Sequence, residues 1–209
     1  MPKRKHSGKT RKPGSESRRV EPVGLRIVGG RLRGRKLCYG GDTRVRPMKD
    51  RTREAIFNLL GPSVKGMWAV DLFAGTGAMA LEALSRGAAG AVLIERHLPT
   101  ARLIAENIRA VGADAECTVI TADAFRWAAE PSPISDRPWV VFCCPPYDFF
   151  VDRQQDILHL IETMYQRAPL RSALVVESDD RFDHASLPGT EGWDTRRYLP
   201  AHVGILWKE

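Results

Sequence analysis

The chain has 209 residues, of which 43% are hydrophobic, and a formal net charge of +7. That length suits one domain of ordinary size with an appendage, and the apolar content is enough for a core. No apolar run approaches the roughly 18 residues that a membrane span needs, and the start lacks the apolar core of a secretory signal, so we expect a cytoplasmic protein with no membrane partner. The 4 cysteines lack C-x-x-C spacing and the 5 histidines are scattered, which argues against a metal site or a disulfide framework.

Positive charge is concentrated at the start of the chain. Residues 1–53 contain 18 of the 32 lysines and arginines but only 4 of the 25 acids, so the remainder is net acidic. This asymmetry is typical of a protein that binds polyphosphate with one end, and it predicts RNA or DNA as a partner. The alternative is a solvated basic tail that only aids solubility.

The first predicted elements are basic. Residues 1–22 have almost nothing to bury, which predicts a disordered tail. Residues 23–62 are predicted to form a basic N-terminal hairpin and a helix, because small, basic and apolar residues first alternate and apolar residues then recur at helical spacing. Pro47 is predicted to open this helix, and Gly61 and Pro62 to end it.

Residues 63–209 alternate strand and helix, which is the pattern of a parallel sheet covered on both faces. We predict strands near residues 67–72, 91–95, 116–121, 139–144 and 173–177. The helices between them are predicted near residues 77–86, 99–111, 123–129 and 152–167, and the apolar stripe of the last one is interpreted as core. Two further strands, at 193–198 and 203–207, are separated by a short link and predict an antiparallel hairpin at the edge of the sheet.

The segment 70–78 passes from an apolar strand through Asp71 into a loop that contains Gly75 and Gly77. Glycine tolerates positive φ and lets a ligand approach the backbone closely. A carboxylate at the strand end repels a pyrophosphate but pairs with an amino-acid ammonium, which favours S-adenosylmethionine as the cofactor. Two alternatives remain: a dinucleotide site, because G-x-G-x-x-A and Glu95 also fit that pattern, and a tight turn without a ligand.

Two further acids follow predicted strands, and ligands of open α/β sheets bind at the carboxyl ends of strands. Glu95 ends the second strand, where its carboxylate can accept both hydroxyls of a ribose; an ordinary solvated acid is the alternative. Asp123 follows the third strand, where it can accept a bond from an adenine amino group. Aspartate is also a good helix N-cap, which is the alternative for Asp123.

The fourth strand runs into a Pro-Pro-Tyr sequence at residues 145–147. The two prolines fix an extended turn and leave carbonyl groups free to face a substrate amine. Tyr147 offers a stacking plane for an extruded base. Phe149 and Phe150 either extend this plane or belong to the core.

Three segments together resemble a known family: residues 46–58, with the pattern R-P-x-x-D-R-x-R-E-x-x-F-N, the loop 71–77, and residues 81–88. They are similar to the RsmD family of bacterial 16S rRNA guanine-N2 methyltransferases, over about residues 25–207. The resemblance implies a Rossmann-like class I methyltransferase of α/β fold, with a mostly parallel seven-stranded sheet, an antiparallel C-terminal hairpin and a small basic N-terminal β element. The methyltransferase domain would span residues 63–209.

The resemblance also implies a reaction and its residues. A methyl group would pass from S-adenosylmethionine to the exocyclic N2 of a guanine in small-subunit rRNA, either naked or in an assembling 30S particle, and we expect a monomer without metal. The implied cofactor-binding residues are Asp71, Phe73, Gly75, Gly77, Glu95, Asp123 and Ala124. The implied catalytic residues are Cys144, Pro145, Pro146 and Tyr147. The residues expected to bind RNA are Arg26, Arg31, Arg33, Arg35, Lys36, Arg46, Lys49, Arg51 and Arg53; a salt-bridged helix start is the alternative for the last of these.

One position departs from the family pattern. The family has Asp or Asn before the two prolines, and this chain has Cys144, whose thiol is a poor hydrogen-bond acceptor. Methyl transfer mainly needs an aligned nucleophile, so we expect an active enzyme. A thiolate at Cys144 and a small buried cysteine are both compatible with the sequence. The alternative function is an RNA-binding or ribosome-assembly factor that retains the fold but has weakened catalysis.

Overall fold

The computed structural model of the protein describes residues 24–41, 47–130, 134–189 and 192–209. The predicted tail of residues 1–22 and the predicted RNA-binding residue Arg46 lie outside these ranges. The described residues contain one seven-stranded sheet with the strand order β3-β2-β1-β4-β5-β7-β6.

The strands agree closely with the sequence prediction. Their bounds are β1 Trp68–Asp71, β2 Gly90–Ile94, β3 Cys117–Ile120, β4 Trp139–Cys143, β5 Ala173–Ser178, β6 Asp194–Tyr198 and β7 Ala201–Trp207. Strands β1 to β5 pair in parallel, and β7 pairs antiparallel with both β5 and β6. The predicted mostly parallel sheet with an antiparallel C-terminal hairpin is therefore confirmed, and the hairpin folds back so that β6 forms the outer edge.

The helices cover both faces of this sheet. Their bounds are α1 Asp50–Leu60, α2 Ala78–Ser85, α3 Leu98–Val111, α4 Ala124–Ala129, α5 Phe149–Asp152 and α6 Gln154–Arg167. The predicted last helix is thus two helices, and α1 begins three residues after Pro47 and ends at Gly61, which has φ +58°. The stripe on α6 is core as predicted, since Ile157, Ile161 and Met164 are at most 1% exposed.

Two hydrophobic clusters lie on opposite faces of the sheet. One contains residues of α1, α2 and α3, and the other contains residues of α4 and α6. The first cluster also includes Leu25, Ile27, Leu32 and Leu37 of the N-terminal segment. Because these four side chains are buried with the sheet residues, the N-terminal hairpin shares the core of the methyltransferase fold.

The N-terminal hairpin is short and docks on the end of α2. It has one bridged pair, Arg26 with Lys36. At its turn, Gly30 has φ +73°, and a Cβ on this residue would lie 1.9 Å from the carbonyl oxygen of Ser85. The backbone N–H of Arg31 donates to that same oxygen at 2.7 Å. Glycine is therefore required here both by its backbone conformation and by the close approach to α2.

The structure corrects the prediction for Arg53, which was expected to bind RNA. Its side chain is fully buried, and its Nε lies 3.5 Å from the Oε2 of Glu82, which is also fully buried. The Glu82 carboxylate accepts backbone N–H groups of Val28 and Gly29, each at 2.8 Å. Asp50 contacts a second nitrogen of Arg53 at 2.8 Å. The alternative of a salt-bridged helix start is confirmed for Arg53, because this network joins α1, α2 and the hairpin.

We expect Glu82→Gln to lower the free energy of unfolding by about 3 kcal/mol, because it leaves the guanidinium of Arg53 buried without its full counter-charge. Urea unfolding followed by circular dichroism measures the change. Glu162→Gln on α6 is the matched control, since Glu162 bonds the neighbouring Gln166 at the surface. A loss below about 1 kcal/mol for Glu82→Gln, as typical of exposed pairs, would contradict the expectation.

Two searches of the described ranges gave negative results. No helix there combines the length and apolar character that a membrane span requires. No group of three or more His, Cys, Asp and Glu side chains there is arranged to hold a metal ion.

Candidate functional site

The glycine loop between β1 and α2 has the backbone conformation that its sequence predicts. Gly75 has φ +52° and Gly77 has φ +77°. A Cβ on Gly77 would lie 3.2 Å from Ile104 and 3.3 Å from Leu93, so a side chain here would be strained and crowded. The loop is thereby held against β2 and α3, at the carboxyl ends of the parallel strands, and its backbone is open to a close ligand.

Asp71 ends β1 inside the protein, with 2% of its surface exposed. Burial raises the pKa of its carboxyl to about 7, and the nearby charge of Glu95 raises it further, whereas backbone hydrogen bonds from Ala80 and Phe73 lower it. A buried carboxylate with a raised pKa gains strongly from a cationic partner. Asp71 therefore both anchors the start of α2 and offers a site for an ammonium group.

Glu95 and Asp123 lie at the neighbouring strand ends. The two oxygens of Glu95 accept backbone N–H groups of Gly75 at 3.0 Å and His97 at 2.8 Å. Asp123 caps α4, as its alternative interpretation predicted, with Oδ1 accepting from the N–H groups of Phe125 at 3.1 Å and Arg126 at 3.2 Å. Both capping bonds end on Oδ1, so Oδ2 is not needed for the cap. Each carboxylate oxygen has two lone pairs, so neither role prevents ligand binding.

An aromatic cluster stands beside these acids. Phe73 makes edge contacts with Phe125 and Phe149, with ring centroids 6.0 Å and 6.1 Å apart. The guanidinium of Arg153 lies 4.0 Å from the centre of the Phe125 ring. Phe150, in contrast, is 2% exposed and is a core residue. The predicted cofactor residues thus share one edge of the sheet with three partly exposed aromatic rings.

The Pro-Pro-Tyr segment follows β4 at the same edge. Pro145 is buried, Pro146 is exposed, and Cys144 and Tyr147 are half-buried. Burial, followed by the charges of Glu177 and Asp71, raises the pKa of the Cys144 thiol well above its ordinary value. The thiolate interpretation of Cys144 is therefore wrong for the protein alone, because the thiol stays protonated at neutral pH.

Glu177 is a site residue that the sequence interpretation did not name. It lies in β5, is 6% exposed, and its Oε1 accepts a hydrogen bond from the hydroxyl of Tyr147. The sequence contained a signal for it: Glu177 was the last residue of a predicted strand, which is the position that singled out Glu95.

Asn107, on α3, is a second residue that was not predicted. It is fully buried, and its Nδ2 donates to the backbone oxygens of Cys38 and Thr76, each at 3.0 Å, while its Oδ1 accepts from the N–H of Cys38 at 2.7 Å. Asn107 thereby ties the segment after the hairpin to the glycine loop. Tyr39, Gly75, Thr76 and residues 97–106 line a groove of about 470 Å³ at this junction.

The exposed basic residues lie on the hairpin and at the start of α1. Arg31 is 2.8 Å from Glu116, and Arg26 is 3.1 Å from Asp50. Arg51 donates to the carbonyl oxygen of Leu199 in the β6–β7 turn. The remaining exposed residues of the predicted set are Arg33, Arg35, Lys36 and Lys49. The basic side chains therefore extend from the end of α2 towards the edge that carries the Pro-Pro-Tyr segment.

Comparison with known proteins gives consistent matches. The family model "Conserved hypothetical protein 95" matches residues 25–198. Ribosomal RNA small subunit methyltransferase D of Escherichia coli (strain K12) is 38% identical over 123 residues, which is 59% of this chain and only 60% of that relative. The YlbH protein of Bacillus subtilis (strain 168) is 30% identical over 168 residues, covering 80% of this chain and 88% of the relative.

A solved structure shows the same arrangement along most of the chain. The yhhF protein of Escherichia coli superposes with a TM-score of 0.71 and 29% sequence identity, covering 88% of this chain and 98% of that protein. The family model covers well over half of the residues, including the glycine loop and the Pro-Pro-Tyr segment. The chain therefore belongs to this family, and the resemblance to the RsmD methyltransferases predicted from the sequence is confirmed.

Proposed function

We propose that this protein is an S-adenosylmethionine-dependent methyltransferase that modifies the exocyclic N2 of a guanine in small-subunit rRNA. The observation that carries the proposal is the shared edge of the sheet. The glycine loop with Asp71 and the Pro-Pro-Tyr segment follow β1 and β4, which are adjacent parallel strands with Asp71 paired to Phe142. A donor pocket and a pocket for an amine can therefore open towards each other.

The residues at the strand ends fit the chemical parts of the donor. Asp71 would pair with the ammonium of its methionine part, and the backbone of Gly75 and Gly77 leaves room for that part beside the loop. Glu95 would accept the ribose hydroxyls, and Oδ2 of Asp123 would accept the adenine amino group. Phe73 and Ala124 would contact the adenosine. When bound, S-adenosylmethionine supplies an electrophilic methyl carbon on a cationic sulfur.

The Pro-Pro-Tyr segment suits a planar amine. Pro145 and Pro146 have no N–H, so their carbonyls can accept hydrogen bonds from an exocyclic amino group. The ring of Tyr147 is held by its hydroxyl bond to Glu177, and it can stack on an extruded base. The name of the Escherichia coli relative supports small-subunit rRNA as the source of that base. A guanine is proposed because its N2 is an exocyclic amine and because the chain resembles guanine-N2 methyltransferases.

The exposed basic residues would hold the RNA backbone. Arg33, Arg35 and Lys36 follow the hairpin turn, and Lys49 and Arg51 lie at the start of α1 near the catalytic edge. Arg53 has no part in this surface because it is buried. Phosphate contacts of this kind position a substrate without reading its sequence.

We expect the triple variant Arg33→Ala, Arg35→Ala, Lys36→Ala to bind small-subunit RNA more weakly and with a flatter salt dependence. Each lost phosphate contact reduces the slope of log K against log salt by about 0.7 to 0.9. Filter binding at several salt concentrations measures both quantities. Deletion of residues 1–53 is unsuitable, because it removes Leu25, Ile27 and Leu37 from the core. An unchanged slope in the triple variant would exclude the hairpin from the RNA-binding surface.

The experiment that tests the proposed function is methyl transfer from labelled S-adenosylmethionine to unmethylated 30S particles and to naked 16S rRNA, followed by nucleoside analysis. We expect N2-methylguanosine, and the two substrates distinguish free rRNA from an assembling particle. Donor binding without transfer to either substrate would favour the RNA-binding or assembly factor. Label in another nucleoside would retain the methyltransferase and reject guanine N2.

A further inference from the structure

Glu177 and Cys144 are neighbours across two parallel strands. In the β4–β5 ladder, Cys143 pairs with Val176, so the next residues in the two chains, Cys144 and Glu177, lie side by side beyond the last pair. Adjacent strands are about 4.8 Å apart. The charge of Glu177 contributes to the raised pKa of the Cys144 thiol, which is consistent with this short separation.

Both side chains point to the face of the sheet covered by α1. Successive residues in a strand alternate between faces. Cys143 and Val176 belong to the cluster under α4 and α6, whereas Cys144 packs against the opposite cluster. Glu177 follows Val176, so its carboxylate points to the same side as Cys144, where it accepts the hydroxyl of Tyr147.

A carboxylate in this position is costly for the fold. Glu177 is 6% exposed, and a buried acid loses its hydration. The hydroxyl of Tyr147 bonds to only one oxygen, Oε1. An ionised carboxylate accepts about four hydrogen bonds, so the group retains capacity for a further donor at the place where Tyr147 would stack on the base.

Methylation of an exocyclic amine creates a demand for an acceptor. The nitrogen lone pair forms the new N–C bond, and the C–S bond breaks with its electron pair left on the former sulfonium sulfur, which becomes neutral. The nitrogen is then cationic and must lose one proton. Cys144 cannot meet this demand, because its thiol is a poor acceptor and is protonated at neutral pH.

We propose that Glu177 is a catalytic residue: its carboxylate accepts a hydrogen bond from the target amine and takes up the proton that the methylated nitrogen loses. The role rests on the proposed function and supplies the acceptor that position 144 lacks. The proton transfers to a carboxylate oxygen, forms the neutral acid, and then passes to solvent. Tyr147 keeps the carboxylate facing the base.

Four proteins test the proposal: wild type, Glu177→Gln, Cys144→Asp, and the double variant. Glutamine keeps the shape and an acceptor for Tyr147 but is a far weaker base. We expect Glu177→Gln to lower single-turnover methyl transfer by about 100-fold, as for loss of a general base. Cys144→Asp should restore at least about tenfold of that loss in the double variant, because it returns a carboxylate beside the amine. Glu130→Gln on the exposed end of α4 is the control.

The outcomes separate the two proposals. No methyl transfer by wild type would reject the proposed function itself. If wild type is active, a Glu177→Gln rate within about threefold of it overturns the role of Glu177. An equal deficit in the presence and absence of Cys144→Asp also overturns it, because Glu177 would then act only by supporting Tyr147. S-adenosylmethionine affinity and thermal stability are measured for each variant, and both are expected to stay close to wild type.

A second readout needs neither cofactor nor RNA. Because the charge of Glu177 raises the pKa of the Cys144 thiol, Glu177→Gln should increase alkylation of Cys144 by iodoacetamide at pH 8 by at least about threefold. Peptide mass spectrometry distinguishes Cys144 from the other cysteines. An unchanged rate at Cys144 would mean that the carboxylate does not lie beside the thiol, which removes the basis of the proposal.

Discussion

Asparagine at position 71 is expected to abolish the pH dependence of S-adenosylmethionine binding and to weaken binding at pH 7.5 by at least about tenfold. In the free protein the pKa of Asp71 is about 7, so below that pH the carboxyl is largely protonated. An ammonium partner requires the ionised form. Wild-type affinity should therefore fall by roughly twentyfold between pH 7.5 and 5.5, as the cost of deprotonation grows.

The same substitution makes a prediction about stability, with its own sign. The pKa of Asp71 is raised on folding, so the folded state binds more protons than the unfolded state between about pH 4 and 7. This carboxyl thus stabilises the cofactor-free protein less as pH rises through that window. Relative to wild type, Asp71→Asn should become more stable with increasing pH, by at most a few kcal/mol.

Isothermal titration at pH 5.5, 6.5 and 7.5 measures the affinity, and urea unfolding at the same pH values measures the stability difference. His97→Gln is the control for another titrating side chain at this edge, whose backbone N–H bonds Glu95. It should retain the slope of wild type. A steep pH dependence that persists in Asp71→Asn would place the titrating group elsewhere and leave the ammonium without its proposed partner.

Strand ends were the most informative part of the sequence. Because parallel strands place their carboxyl ends at one edge, Asp71, Glu95 and Asp123 could be grouped from chain position alone. The structure gives two of them a second role, since Asp71 bonds backbone N–H groups of Ala80 and Phe73 and Asp123 caps α4. A position on a strand end therefore predicts proximity to the site, but the side-chain partners decide how free the carboxylate is.

Long-range polar pairs were beyond the reach of sequence patterns. Arg53 lies in a basic run, which predicted an exposed RNA contact, yet its partner Glu82 is on another helix. Nothing in the local pattern around residue 53 or residue 82 indicates this pairing, because an arginine and a glutamate on helices are usually exposed. Asn107 is similar: its three bonds join two segments that are distant in the chain.

Asn107 gives the N-terminal segment a structural connection to the donor pocket. One amide holds both the backbone of Cys38, just after the basic hairpin, and the carbonyl of Thr76, inside the glycine loop. The hairpin and the loop are thus fixed relative to each other by a fully buried group. Such a connection keeps the predicted RNA-binding surface in register with the methyl donor, which is what alignment of a nucleophile requires.

Removal of the Tyr147 ring is expected to lower methyl transfer by roughly 10- to 100-fold while S-adenosylmethionine affinity stays within about threefold of wild type. Stacking of a base on an aromatic ring contributes about 1–3 kcal/mol, and Tyr147→Ala removes that contact from the base and not from the donor. Tyr147 follows β4, whereas Asp71, Glu95 and Asp123 lie at or after the ends of β1, β2 and β3. The two pockets are therefore separable by substitution.

Tyr147→Phe is the matched variant, because it retains the ring but loses the hydroxyl that bonds Glu177. We expect it to keep more activity than Tyr147→Ala, with a deficit below about tenfold, since stacking is preserved. Single-turnover transfer and calorimetric donor binding measure the two quantities on the same preparations. If Tyr147→Ala weakens donor binding as strongly as Asp71→Asn does, the segment after β4 belongs to the donor pocket, and the base must be held by other residues.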